Sequence, residues 1–187
     1  MRQAILLSFI LFLSNNLLAQ VDTIDFAQYT IDTYDVNQDA GSYSILNGEL
    51  TLEGNSWKKI SIPYTLTEVS VLTFEYRVGE EGRIGGIGMD TNNKSDQNHI
   101  FQLSGRATYG FQDYKTYTGT DWVSYTIPIG SYITGDVGYL VFVGDDNRDL
   151  QNNSFRNITI SEAQVPPVAV ESLHIQKSSN EDRKSVV

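Results

Sequence analysis

Alternation is clearest from Val69 to Val78, with Leu72, Phe74, Tyr76 and Val78 on one parity and Thr73, Glu75 and Arg77 on the other. A period of two puts these sets on opposite faces of a strand. Runs of the same kind, rich in Val, Ile, Thr, Tyr and Phe, recur at Ser42–Leu46, Glu49–Glu53, Trp57–Pro63, Ile84–Asp90, His99–Ser104, Trp122–Ile129, Gly138–Val143 and Phe155–Ser161. Clusters of Gly, Asn and Asp separate them, and no stretch sustains the 3.6-residue period of a helix. Asn47-Gly48 reads as a two-residue hairpin turn, because both residues tolerate positive φ. About nine strands, with turn signals every eight to twelve residues or so, predict an all-β domain. Two stacked antiparallel sheets, a jelly-roll-like β-sandwich, fit this spacing better than a propeller or a solenoid.

The two ends differ from this middle. Residues 1–19 carry Arg2, an apolar run from Ala4 to Leu13 and a small residue at Ala19, which reads as a signal peptide and places the protein in a secreted or periplasmic compartment. The run is shorter than the roughly 20 residues of a membrane helix, and later apolar runs have strand length, so membrane insertion is not expected. From Gln164 onward, Pro166-Pro167 breaks strand pairing and Gln176–Lys184 is polar. The expected division is a domain over 20–163 and a linker or disordered tail over 164–187, with a further module possible after it.

Composition narrows the chemistry. There is no cysteine, which removes disulfides, thiol catalysis and cysteine-ligated zinc together. Without Arg2 the chain has 12 basic residues against 23 acidic ones, a difference of −11. A nucleic-acid backbone needs clustered Lys and Arg, and the only adjacent basic pairs are Lys58-Lys59 and Arg183-Lys184. Neither Gly-x-Ser-x-Gly nor His-Glu-x-x-His occurs, and His99 is the only histidine of the expected domain. Glycoside hydrolysis needs two carboxylates, and Glu75 is the candidate acid on the alternating strand. Its plainer reading is a solvent-facing or sheet-bordering Glu.

Two constellations stand out. Tyr109 to Trp122 holds five aromatic residues in fourteen, interleaved with Gly, Thr, Asp and Gln. Disorder selects against aromatics, and long ordered loops are usually functional. Sugar rings pack polarised C–H groups on aromatic faces while their hydroxyls need amide and carboxylate partners. Tyr114, Tyr117 and Trp122 are therefore the expected stacking surface, with Gln112 and Asp113 bonding hydroxyls at its edge. The plainer alternative is that these rings lie between the sheets with wet tips. The second constellation is acidic: the loops after Met89 and Gly144 carry Asp90, Asp145 and Asp146, oxygens of the kind calcium takes. They do not follow EF-hand spacing, and Asp and Asn are also ordinary turn residues.

The runs Leu50–Ile60 and Ser154–Ile160 resemble the early and closing strands of β-sandwich carbohydrate-binding modules. Gly86–Asp90 with Val141–Asp146 is similar to Asp-bearing loops of calcium-dependent members, xylan binders among them. The resemblance implies a non-catalytic polysaccharide binder, with calcium as a possible cofactor at Asp90, Asp145 and Asp146. Asn157 departs from the Asp that many such members have in the last strand. Two other classes stay open, a structural or adhesive surface sandwich and a small jelly-roll glycoside hydrolase or lyase. Exposure of Tyr114, Tyr117 and Trp122 discriminates binding from adhesion.

Overall fold

The computed structural model describes residues 21–148 and 151–163. The expected signal peptide, residues 1–19, and the expected tail, 164–187, lie outside these residues. The alternation of Val69–Val78 is realised in β6 (Ser70–Glu80), whose Leu72, Phe74, Tyr76 and Val78 are buried and whose Thr73, Glu75 and Arg77 are half-buried on the other side. The remaining strands are β1 (Val21–Thr23), β2 (Asp32–Thr33), β3 (Ser42–Leu46), β4 (Glu49–Glu53), β5 (Ser56–Leu66), β7 (Ile84–Asp90), β8 (Ile100–Ser104), β9 (Val123–Ile127), β10 (Gly135–Asp145) and β11 (Asn152–Glu162). Helical structure among the described residues is confined to three short 3-10 turns, and no helix there is long and apolar enough to cross a membrane.

The strands form two antiparallel sheets. Sheet A has the order β3-β4-β11-β6-β9, with β1 also paired to β11; sheet B has the order β2-β5-β10-β7-β8. The β3–β4 hairpin turns at Asn47 (φ 52) and Gly48 (φ 78), both in the left-handed region that the two-residue turn requires. Between the sheets lies one apolar core, where Phe155 of sheet A meets Phe142 of sheet B edge-on and tilts against Phe74 and Tyr76 of its own sheet. The architecture is the two-sheet antiparallel sandwich that the period-two pattern predicts.

A second apolar cluster covers the other face of sheet B. Trp57, Ile84, Ile100, Val141 and Val143 are buried there with Tyr34, and Tyr109 packs against them. Tyr34 stacks on Trp57 at 6.4 Å and Tyr109 meets it edge-on at 5.5 Å. Trp57 is 2% exposed, so it is a packing residue and not a surface platform. Among the described residues sheet A has no such cover: its outward residues on β4, β6 and β11 include Thr51, Glu75, Arg77 and Arg156, none of them fully buried. The open face of the sandwich is therefore that of sheet A.

Candidate functional site

The open face is built from β6, β11 and β4, brought side by side. Ser154 of β11 pairs with Arg77 of β6 and with Thr51 of β4, and Arg156 pairs with Glu75. Period-two alternation then points Glu75, Arg77, Arg156 and Glu49 outward together. Each arginine holds one carboxylate: Arg77 Nη2 donates to Glu49 Oε1 at 2.7 Å, and Arg156 Nε donates to Glu75 Oε2. Asn157 Nδ2 donates to the same Glu75 oxygen at 3.0 Å. The Thr51 and Ser154 hydroxyls meet at 2.9 Å beside them.

Trp122, one residue before β9, joins this face. Its ring centroid lies 4.0 Å from the Arg156 guanidinium carbon and 4.6 Å from that of Arg77. Cation–π contacts of this kind contribute about 0.5–1 kcal/mol each at exposed sites. Two of them, on arginines themselves fixed by Glu49 and Glu75, set the orientation of a half-buried indole. The side chains of Arg77 and Arg156 remain 39% and 37% exposed. Two guanidiniums and two carboxylates sum to no net charge, so the patch is a neutral array of donors and acceptors around an aromatic ring. Sequence reading found Trp122 but missed Arg77, Arg156 and Glu49, and set Glu75 aside as a bordering residue. The outward parity of Glu75 and Arg77 was a usable signal, whereas the pairing that adds Arg156 and Glu49 was not.

The expected stacking trio does not form. Tyr114 and Tyr117 are partly buried against the main core. Tyr114 packs on Phe101 and Tyr132, and Tyr117 packs edge-on against Tyr76 at 5.2 Å. The Tyr117 hydroxyl accepts from Val78 N at 3.0 Å and donates to Asp121 O at 2.9 Å. Gln112 Nε2 donates to Gln102 Oε1, Tyr109 O and Gly110 O, and Asp113 accepts from the Tyr132 hydroxyl at 3.2 Å. The physical reason is an unpaired edge. Phe111 N donates to Ile100 O, Gln102 N to Phe111 O and Tyr117 N to Leu103 O, so the loop closes the free side of β8. Trp122 alone of the trio reaches the open face.

Nor are the three aspartates neighbours. Asp90 pairs with Tyr139 and Asp145 with Ile84, six residues apart along β7 and so roughly 20 Å. Asp90 is buried and accepts from the Tyr34 hydroxyl and from Thr91 N and Asn92 N. Burial and the adjacent Asp90 push the Tyr34 hydroxyl well above its ordinary pKa, so it stays a donor. At the other end Asp145 faces Arg83 at 3.4 Å, and Asp146 faces Arg106 at 3.4 Å and Arg148 at 3.7 Å. Calcium held by all three does not fit this arrangement, and no three of His, Asp or Glu among the described residues come together to hold a metal ion.

The structure is thus an antiparallel two-sheet sandwich with one covered face and one open face bearing a clamped tryptophan. No family model and no curated protein matches the chain. Among solved structures it is similar to a family 29 carbohydrate-binding module from Piromyces equi, at 11% identity and a TM-score of 0.44 over 78% of this chain and 92% of that one. It is similar to the xylan-binding module CBM15, at 15% identity and a TM-score of 0.48 over 78% and 97%. A Parabacteroides distasonis protein named as a glycosyl hydrolase matches at 13% identity and a TM-score of 0.47 over 72% and 100%. At these identities the likeness is one of fold.

Proposed function

We propose that this protein is a non-catalytic polysaccharide-binding module whose ligand lies across the open face of sheet A. The observation that carries the reading is the Trp122 indole held against Arg77 and Arg156, themselves fixed by Glu49 and Glu75. A pyranose needs an aromatic face for its C–H groups and rigid donors and acceptors for its hydroxyls, and the patch supplies both without a net charge. The two carboxylates beside Trp122, Glu49 and Glu75, are tied to guanidiniums, which leaves neither as a free acid or base for glycoside hydrolysis there. The leader-like residues 1–19 support an exported protein, and the proline break after Gln164 supports a linker to a further module.

Affinity electrophoresis across neutral plant and marine polysaccharides, parent beside Trp122→Ala, tests the reading. Retention on at least one polymer, lost in the variant while its thermal melt stays near the parent's, is the expected result. Equal retention of the two proteins refutes the site. A parent that no polymer retards refutes the function and favours an adhesive sandwich.

A further inference from the structure

Where β6 and β8 end, a cleft of about 330 Å³ opens between Val78, Glu81, Ser104 and the loop residues Tyr117, Thr118 and Gly119. Its floor is polar at a depth where a sandwich is ordinarily apolar. Ser104 Oγ, on a residue 5% exposed, lies 2.7 Å from the hydroxyl of Tyr76, which is fully buried. Asn153 Nδ2 donates to that hydroxyl at 3.3 Å and to Val143 O at 2.9 Å, while its Oδ1 is enclosed without a partner. The chain keeps room for this network: a Cβ on Gly85 would stand 2.1 Å from the Tyr76 hydroxyl and 2.5 Å from Ser104 Oγ. Of this network Ser104 alone borders the cleft, where its hydroxyl, oriented by Tyr76, can bond a hydroxyl of a ligand.

The walls suit a particular partner. Tyr117 presents a ring fixed at its hydroxyl by Val78 N and Asp121 O. Glu81 lines the cleft as an exposed carboxylate and accepts from Gly105 N at 3.1 Å. No lining residue is basic, and Arg106 beside Glu81 is already engaged by Glu81 O at 2.9 Å and by Asp146 at 3.4 Å, so the cleft favours a neutral ligand over an anion. The volume sits at the lower bound of small-ligand pockets, roughly 300–1,000 Å³, which matches one ring and not a chain segment. At Gly119 nothing stands within 4 Å of a would-be Cβ, so the rim is open. Tyr117 binds the carbonyl of Asp121, the residue before Trp122, and Val78 follows Arg77, so the cleft lies around the sheet end from the aromatic patch.

We propose that this cleft takes a single neutral sugar ring, the terminal unit of the polysaccharide, as a subsite distinct from Trp122. The inference rests on the polysaccharide reading for its ligand class. Titrating the ¹⁵N-labelled full chain with D-glucose, D-xylose, D-mannose and D-galactose to high millimolar concentration tests it, because one ring gains little from an open platform. Saturable amide shifts at Gly105, Thr118 and Gly119 with at least one sugar are expected. They should vanish in Thr118→Trp, persist in Trp122→Ala, and weaken roughly fivefold in Ser104→Ala. Shifts centred on Arg77, Trp122 and Arg156, or no saturable shift with any of the four, overturn the proposal. Cleft shifts that persist while Trp122→Ala still retains polymer would sink the platform and leave the cleft standing.

Discussion

The two tryptophans separate stability from the proposed binding at the level of single residues. Trp57 is buried among Tyr34, Tyr109 and Val143, and Trp57→Ala should lose about 3–5 kcal/mol in urea denaturation. Trp122 leans on two guanidiniums, so Arg156→Lys keeps the charge but removes the flat stacking partner. Retention in affinity electrophoresis should fall severalfold in that variant, with a melt close to the parent's. Two aspartates should respond to pH with opposite sign. Burial, together with Asp146, holds the Asp145 carboxyl above its ordinary pKa despite Arg83. The native state then binds the extra proton, stability falls as pH rises through that window, and Asp145 is a net cost at neutral pH. Asp145→Asn should therefore raise the melting temperature at pH 7, with the gain gone near about pH 3. Asp35 accepts from Ser95 N and Ser95 Oγ and is held below its ordinary pKa, so its contribution is present at neutral pH and lost in acid. Asp35→Asn should destabilise at pH 7, with the effect shrinking as the pH falls below the ordinary aspartate range.

Among the elements, β11 shows how backbone geometry aims the site. Its register with β6 breaks between Arg156 and Thr159, and Asn157 sits there at φ 53. This bulge lets consecutive residues, Arg156 and Asn157, both reach Glu75. A β-branched side chain is strained at that φ, so Asn157→Val should lower the melt and weaken polymer retention together. Phe111→Ala, in the loop that closes β8, should destabilise by about 2–4 kcal/mol and leave retention of the folded fraction unchanged. That loop also shows the limit of reading a sequence. Tyr114 and Tyr117 look alike whether they stack on sugars or seal an edge, because both tasks need rings with polar tips. The parity of β6 and the Asn47-Gly48 turn were legible, since each is local. Strands β1 and β2 were not, being two or three residues long and defined by their partners. The clamp on Trp122 was hidden for a related reason: Glu49, Arg77 and Arg156 are distant in sequence and meet only through pairing.

At the scale of the whole molecule, the separation of Asp90 from Asp145 and Asp146 by the length of β7 bears on the calcium expectation. Because one ion cannot bridge that distance, thermal melts in millimolar calcium and in excess chelator are expected to coincide. A rise with calcium would point to a site that does not use all three. The strand order carries a different consequence. β11 is the last strand of the described chain, yet it lies between β4 and β6, which do not pair with each other. Until it arrives, sheet A is split down its middle, Arg156 is missing from under Trp122, and Phe155, Ile158 and Ile160 are missing from the core. Pairing this non-local is slow to form, because loop closure precedes the contacts that reward it. Synthesis would therefore run through most of the described chain without a finished sheet A, and the contact of Arg156 with Trp122 would form only once β11 is released.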